Sequence, residues 1–151
     1  MICIAGSYTL TLRKADMNIL FFLKPKVDLA YIYDDSSLRQ ALEKMKHYGY
    51  AAIPVINRDG EYVGTLSEGD LLWAILNHKA YDNHAREALC VRDILKGRQN
   101  KPVNVNADID DLLLMAMNQN FIPVTDDRGL FIGIVTRRDI LQYYYDKTHA
   151  V

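Results

Sequence analysis

The tripeptide Ile53-Pro54-Val55 occurs again as Ile122-Pro123-Val124, and the pattern of residues that follows it recurs as well. Both copies continue with two glycines, a hydroxyl residue and an aspartate, at Gly60, Gly64, Ser67 and Asp70 and at Gly129, Gly133, Thr136 and Asp139. Each residue of the second copy lies 69 positions after its counterpart, as Ile122 does after Ile53. A gapless array of this length is not expected by chance. The chain therefore contains two copies of one unit.

The first copy predicts the order strand, helix, strand, strand, helix. Strand-forming residues occupy positions 31–33, 52–56 and 62–66, and the turn at 57–60 joins the last two strands as a hairpin. Apolar residues at helical spacing predict the two helices, at Leu38, Ala41, Leu42 and Met45 and at Leu71, Leu72, Ile75 and Leu76. Side-chain oxygens at 34–36 are suited to cap the first of these helices, and a glycine ends it.

The second copy repeats this order, with strands at 103–105, 122–125 and 131–135 and a final helix from Asp139. The fold class is therefore α/β (α+β), built from two βαββα units. We assign residues 17–79 to the first unit, 80–100 to a helical connector and 101–148 to the second unit. Residues 1–16 are either an N-terminal arm or an over-extended start. Units this small, each with an apolar sheet face, are expected to pack face to face.

The order of elements and the motifs resemble the CBS domain, named for cystathionine β-synthase. The segments that carry the resemblance are 64–70 and 133–139, each a glycine, hydrophobic residues, Ser or Thr, two further residues and Asp. The resemblance implies two units docked sheet to sheet with pseudo-twofold symmetry. Residues 49–54 and 136–138 are also similar to small stand-alone bacterial pairs, some of which bind cyclic di-AMP and others AMP, ADP or ATP.

Composition excludes several other classes. The formal net charge of −1 provides no overall field to attract nucleic acid or a membrane, and the apolar runs are too short to cross a bilayer. Cys3 and Cys90 belong to no disulfide or metal framework and are expected to be reduced thiols in the cytoplasm. The four histidines lack the spacing of metal ligands, so we expect no metal. The motifs of common phosphate-binding and hydrolytic loops are absent from the sequence.

The second copy carries the stronger candidate site. Thr136 and Asp139 have the spacing of a helix cap, and a helix N-terminus also favours phosphate. Arg137 and Arg138 place guanidinium groups at that same helix start. Successive residues of a helix point in different directions, so we expect one of the two arginines to reach a ligand. The resemblance implies that Asp139 binds the hydroxyl groups of a ribose.

The resemblance assigns the base to the other unit, at Asp28, Ala30, Tyr50 and Ala51. A small residue such as alanine lets backbone N–H and C=O groups approach an adenine edge. Tyr50 has two interpretations of equal weight, a ring that covers the ligand and a tyrosine packed at the end of a helix.

The first copy provides a second, weaker site at Ser67, Asp70 and Asn120. Glu68 and Gly69 replace the two arginines there, and a glutamate repels phosphate. Capping of the helix is therefore the favoured role for the serine and the aspartate of this copy.

These observations predict a non-catalytic regulator that binds AMP, ADP, ATP or cyclic di-AMP between its units and signals in trans to an unknown effector protein. Such a chain is expected to form a homodimer. The alternative is a structural or dimerisation module with empty sites. An enzyme is disfavoured because no general base is set beside the proposed phosphate position.

Overall fold

The computed structural model describes residues 18–95, 97 and 100–150. The first half of this part contains β1 (Lys24–Pro25), β2 (Ile32–Tyr33), α1 (Leu38–Tyr48), β3 (Ala52–Ile56), β4 (Tyr62–Ser67) and α2 (Glu68–Asn77). The second half contains α3 (Asn83–Glu87), α4 (Val91–Ile94), β5 (Val103–Asn104), α5 (Ile109–Ala116), β6 (Phe121–Thr125), β7 (Phe131–Thr136) and α6 (Arg137–His149). The predicted order of elements and the mixed α/β class are confirmed. Cys3 and the proposed arm 1–16 lie outside the described residues.

Two small sheets carry the two copies of the repeat. One has the strand order β2-β3-β4 and the other β1-β7-β6-β5. The hairpins match residue for residue, since Ile53 is opposite Leu66 in one and Ile122 is opposite Val135 in the other. In each sheet a short strand runs parallel to the first strand of the hairpin: β2 is parallel to β3, and β5 is parallel to β6.

Helix α1 begins and ends as its sequence requires. Ser37 accepts the N–H of Gln40, and the Gln40 side chain accepts the N–H of Ser37 in return, which forms a capping box. The cap is therefore the residue just after the predicted 34–36 stretch. Gly49 ends the helix in the left-handed conformation, with φ 67°, where glycine is favoured.

The two halves meet around a pseudo-twofold axis at the hairpin tips. Glu61 forms an isolated bridge with Leu130, its own counterpart in the repeat. The next counterparts, Tyr62 and Phe131, stack with ring centroids 6.2 Å apart. Contact between equivalent residues is the signature of a two-fold relation, so the repeat in sequence is also a symmetry of the fold.

The packing exchanges segments between the units. Ile19 and Phe22 are buried in the core of the second sheet, and β1 pairs with β7 through Lys24 opposite Ile134. In return, Val91 and Ile94 of α4 belong to the core of the first sheet. The start of the first unit therefore packs with the second sheet, and helix α4 of the connector packs with the first sheet. The sequence repeat alone did not indicate this exchange.

The repeated glycines Gly64 and Gly133 lie where these exchanged segments cross the sheets. A β-carbon at Gly133 would overlap the carbonyl oxygen of Lys24, so only glycine allows β1 to approach. At Gly64 the nearest group is the carbonyl oxygen of Gly97, 3.4 Å from a β-carbon. Among the described helices, none combines the length and the apolar character needed to cross a bilayer.

Candidate functional site

A cavity of about 340 Å³ opens between the two sheets. Both halves of the molecule line it. The first half contributes Lys24, Leu29, Ala30, Gly49, Tyr50, Ala51, Ala52 and Pro54, and the second contributes Asn120, Phe121, Ile134 and Thr136. Of the residues predicted for the stronger site, Ala30, Tyr50, Ala51 and Thr136 are thus brought together. A molecule bound here touches both units.

Ala30 provides an unpaired backbone edge at the wall of this cavity. The residue is 5% exposed, yet neither its N–H nor its C=O has a hydrogen-bond partner in the described part of the chain. Buried backbone groups without partners are rare in folded proteins. Ala30 therefore provides a donor and an acceptor suited to the edge of a planar ligand.

Tyr50 and Ala51 follow the end of α1 and line the cavity next to this edge. Tyr50 is half-buried and packs against the first core, and its ring centroid lies 5.7 Å from that of Tyr48. It therefore fits both interpretations of its role, packing at the helix end and lining the ligand cavity. The carbonyl of Ala51 accepts the N–H of Glu68, which fixes the loop to the start of α2. Asp28 is exposed at the end of a short 3-10 turn and is not among the residues lining the cavity.

Thr136 lines the cavity at the start of α6, and Asp139, three residues further along the helix, contacts Thr136 and Lys24 but is not itself among the lining residues. The Thr136 hydroxyl accepts the N–H of Asp139 at 3.2 Å and donates to its Oδ2 at 2.7 Å. The second carboxylate oxygen, Oδ1, has no partner among the described residues, and the side chain is 34% exposed. The carboxylate thus caps the helix and still has an oxygen available to accept a hydrogen bond.

Lys24 is a site residue that the sequence did not predict. Its Nζ lies 3.5 Å from Oδ2 of Asp139, and its side chain is half exposed at the cavity. The exchanged strand β1 carries it there from the start of the chain. The signal that could have indicated the crossing is Gly133, whose missing side chain makes room for it.

The two arginines have different surroundings. Arg137 donates from Nε to the carbonyls of Ala116 and Gln119, at 2.7 and 3.1 Å, and so closes the end of α5. Arg138 is exposed and has no partner in the described part of the chain. Both line a neighbouring cavity of about 530 Å³, which shares Asn120 with the first one. Arg138 is therefore the arginine with an uncommitted guanidinium group.

The weaker predicted site is arranged differently. Ser67 and Asp70 form a reciprocal capping box at the start of α2, and Asp70 is only 7% exposed. Asn120 accepts from Asn100 and from the N–H of Phe121 through its Oδ1. The described residues contain no group of His, Cys, Asp and Glu placed to hold a metal ion, and Cys90 is a free thiol.

The CBS domain family model matches the chain twice, over residues 23–77 and 91–146. The A-adding tRNA nucleotidyltransferase of Aquifex aeolicus is 37% identical over 106 residues, which are 70% of this chain but 12% of that enzyme. YlbB of Bacillus subtilis, an uncharacterised protein, is 35% identical over 118 residues, 75% of this chain and 74% of its own length.

Solved structures share the fold. A CBS domain protein of Streptococcus pneumoniae superposes with a TM-score of 0.78 and 25% identity, covering 86% of this chain and 88% of its own. The Listeria monocytogenes protein CbpB in complex with c-di-AMP has a TM-score of 0.76 and 23% identity, covering 87% and 98%. CBSX2 in complex with AMP has a TM-score of 0.69 and 24% identity, with the same coverage.

Proposed function

Because the chain belongs to the CBS domain family, we propose that it is a non-catalytic regulatory module that binds an adenine nucleotide between its two sheets. The observation that carries this proposal is the cavity between Ala30 and Thr136, which has an unpaired backbone edge at one end and a helix start at the other. A separate effector protein would recognise the nucleotide-bound form of the chain.

The base-binding end matches the chemistry of adenine. Adenine presents an amino donor next to a ring-nitrogen acceptor, and the C=O and N–H of Ala30 are complementary to that pair. Tyr50 and Pro54 line the cavity beside this edge and can cover the faces of a planar ring. Both features favour a purine with an amino group over a sugar or an acyl ligand.

The opposite end matches a ribose followed by phosphate. The free Oδ1 of Asp139 can accept a hydrogen bond from a ribose hydroxyl. In the first turn of α6 the N–H groups of Arg137 and Asp139 are already paired, which leaves the N–H of Arg138 available; Lys24 and the Arg138 side chain supply positive charge beside it. Lys24 would then divide its charge between the carboxylate and the phosphate.

The size of the cavity favours a mononucleotide. At about 340 Å³ it lies near the lower limit of small-molecule pockets, which span about 300–1,000 Å³. Solved relatives that hold AMP and c-di-AMP support the adenine class without deciding between its members. A ligand held by both sheets would favour one arrangement of the units, and an effector could distinguish the two arrangements.

We infer binding rather than catalysis from the state of the polar groups. The Asp139 carboxylate, nearest the proposed ribose, is engaged by Thr136 and Lys24, and the residues that line the cavity are mostly alanine, aromatic and aliphatic. Positive charge without an activated base binds a phosphate but does not transfer it.

A thermal-shift panel of AMP, ADP, ATP and cyclic di-AMP tests the proposal. A nucleotide at 100 times its Kd should add about 2.7 kcal/mol to the free energy of unfolding, and this raises the Tm of a chain of this size by about 5–10 °C. Asp139→Ala should abolish the shift, whereas Asp70→Ala, the equivalent change in the other unit, should lower the Tm of the free protein but keep the shift.

Isothermal titration of the same variants gives the affinities directly. If no nucleotide in the panel binds at millimolar concentration, the alternative of a structural module with empty sites replaces the proposal. If Asp70→Ala removes binding and Asp139→Ala does not, the ligand occupies the other half.

A further inference from the structure

Pseudo-twofold symmetry gives the backbone edge of Ala30 a counterpart in the second unit, at Lys101. The counterparts Val55 and Val124 are opposite Ile32 and Val103, respectively, in the parallel strand pairs. Ala30 lies two residues before Ile32, and Lys101 lies two residues before Val103. The two residues therefore occupy the same position relative to their sheets.

The edge at Lys101 is closed, in contrast to the open edge at Ala30. The Lys101 N–H donates to Oε1 of Gln119 at 3.1 Å, and Nε2 of Gln119 donates back to the Lys101 carbonyl at 3.1 Å. The same nitrogen lies 3.4 Å from the carbonyl of Phe121. Gln119 is 7% exposed and Lys101 is exposed, so the amide is buried and its two hydrogen bonds are partly buried.

A carboxamide carries the same pattern of groups as the edge of adenine. Each presents an N–H donor beside a lone-pair acceptor, and each can bond at once to the C=O and N–H of one extended residue. Gln119 lies two residues before β6, as Tyr50 lies two residues before β3. The position that lines the open site with a ring thus closes the other site with an amide.

A second amide completes the closure. Asn100 is 9% exposed, and its side-chain Nδ2 donates to the Phe121 carbonyl at 3.0 Å, while its backbone carbonyl accepts the Tyr62 hydroxyl at 2.6 Å. Among the described residues, no buried side-chain polar atom is left without a partner. The closure is therefore made of specific polar pairs, and removal of one member leaves a donor and an acceptor unsatisfied.

We propose, on the premise of the nucleotide-binding function above, that the Gln119 carboxamide occupies the base position of the second half-site and limits the chain to one nucleotide. Removal of this carboxamide exposes a second site, and that site takes an adenine nucleoside without phosphate. Phosphate is excluded because Glu68 and Gly69 stand where Arg137 and Arg138 stand in the other copy, so this half-site has no counterpart of the free Arg138 guanidinium and carries an additional carboxylate.

Titration calorimetry of Gln119→Ala tests this proposal. The first site is saturated with AMP, and adenosine is then titrated in. The AMP-saturated wild-type protein should take up no adenosine, and Gln119→Ala should take up one further equivalent per chain with a Kd below about 1 mM, equivalent to about −4 kcal/mol. Circular dichroism establishes that the variant is folded.

The reciprocal substitution, Tyr50→Gln, provides an independent test in the open site. A carboxamide at this position should reach the Ala30 backbone and compete with the base, so the affinity for AMP should fall at least about tenfold below that of Tyr50→Leu, which removes the ring without supplying an amide. Equal affinities of Tyr50→Gln and Tyr50→Leu for AMP overturn the proposal, even if Gln119→Ala fails to fold.

The outcomes separate this inference from the function on which it rests. A wild-type chain that binds two equivalents of AMP retains the proposed function and overturns the closure by Gln119. A wild-type chain that binds no AMP overturns the proposed function, and one equivalent of adenosine on Gln119→Ala alone would still support the closure. A folded Gln119→Ala protein that takes up no additional adenosine overturns it.

Discussion

Substitution of Gly133 by alanine should destabilise the protein far more than the same substitution at its counterpart, Gly64. A β-carbon at Gly133 would overlap the carbonyl oxygen of Lys24 and lie 2.8 Å from Cδ1 of Leu23. Contacts this short with backbone are not relieved by a side-chain rotation, so β1 must move away from β7. At Gly64 the nearest atoms lie at ordinary contact distances, 3.4–3.8 Å.

The magnitude follows from what β1 holds in place. Ile19 is fully buried, and Phe22 is 7% exposed. Burial of one such side chain contributes about 1.5–3 kcal/mol, so complete release of both would cost about 3–6 kcal/mol. A backbone shift in a packed core costs about 1–3 kcal/mol. We expect Gly133→Ala to fall between these cases, at about 2–4 kcal/mol, and to lower the Tm by about 5–15 °C.

Differential scanning calorimetry of the matched pair measures the contrast. Gly64→Ala should change the free energy of unfolding by less than about 1 kcal/mol, because the lower entropy of the unfolded chain offsets a small contact cost. Gly133→Ala should also weaken nucleotide binding, since β1 carries Lys24 into the cavity. Equal Tm values for the two variants would refute the reasoning that the exchanged strand depends on this glycine.

Two further predictions concern charged side chains. Arg137→Ala should lower the free energy of unfolding by about 1–2 kcal/mol, because the carbonyls at the end of α5 lose a charged donor. Arg138→Ala should leave the Tm unchanged but weaken AMP binding about threefold in low salt and less in high salt. Titrations of AMP at two ionic strengths measure this difference. The Arg58 guanidinium, through two hydrogen bonds, lowers the pKa of the Asp35 carboxyl below its ordinary value. Because the pKa of Asp35 is lower in the folded state, the ionised carboxylate stabilises the protein at pH values above its unfolded pKa. The difference in Tm between wild type and Asp35→Asn should therefore be constant above about pH 5 and shrink as the pH falls below about 4. A Tm difference that does not change with pH would contradict this ion pair.

The hairpins of the fold were predictable because their determinants are local. The alternation of apolar residues and the turn glycines specify β3–β4 and β6–β7, and the repeat then requires both sheets to have the same register, as Ile53–Leu66 and Ile122–Val135 do. The helices follow from apolar periodicity, and the cap of α1 lies at Ser37, one residue beyond the predicted 34–36 stretch. Each of these signals lies within a few residues of the element that it specifies.

The exchanged segments were not predictable because their contacts are distant in sequence. Lys24 and Ile134 pair across more than a hundred residues, and neither residue type indicates the other. The one local sign that β1 crosses β7 is the glycine at position 133. A glycine in a strand has several explanations, so it does not by itself predict this contact. The hydrogen bonds between Gln119 and Lys101 could not be predicted for the same reason, because they depend on the loop before β6 lying beside the residues that precede β5.

The two copies of the Ser/Thr-x-x-Asp motif show how one local structure can serve two purposes. Both cap a helix, yet Asp70 is buried within its capping box, whereas the Asp139 side chain is 34% exposed and forms an ion pair with Lys24. The difference comes from the segment that faces each motif, and the motif itself does not determine it. If the Gln119 carboxamide closes one half, a single nucleotide must act on both units, and each chain should then respond along a simple hyperbolic binding curve. Cooperative binding would require a second chain.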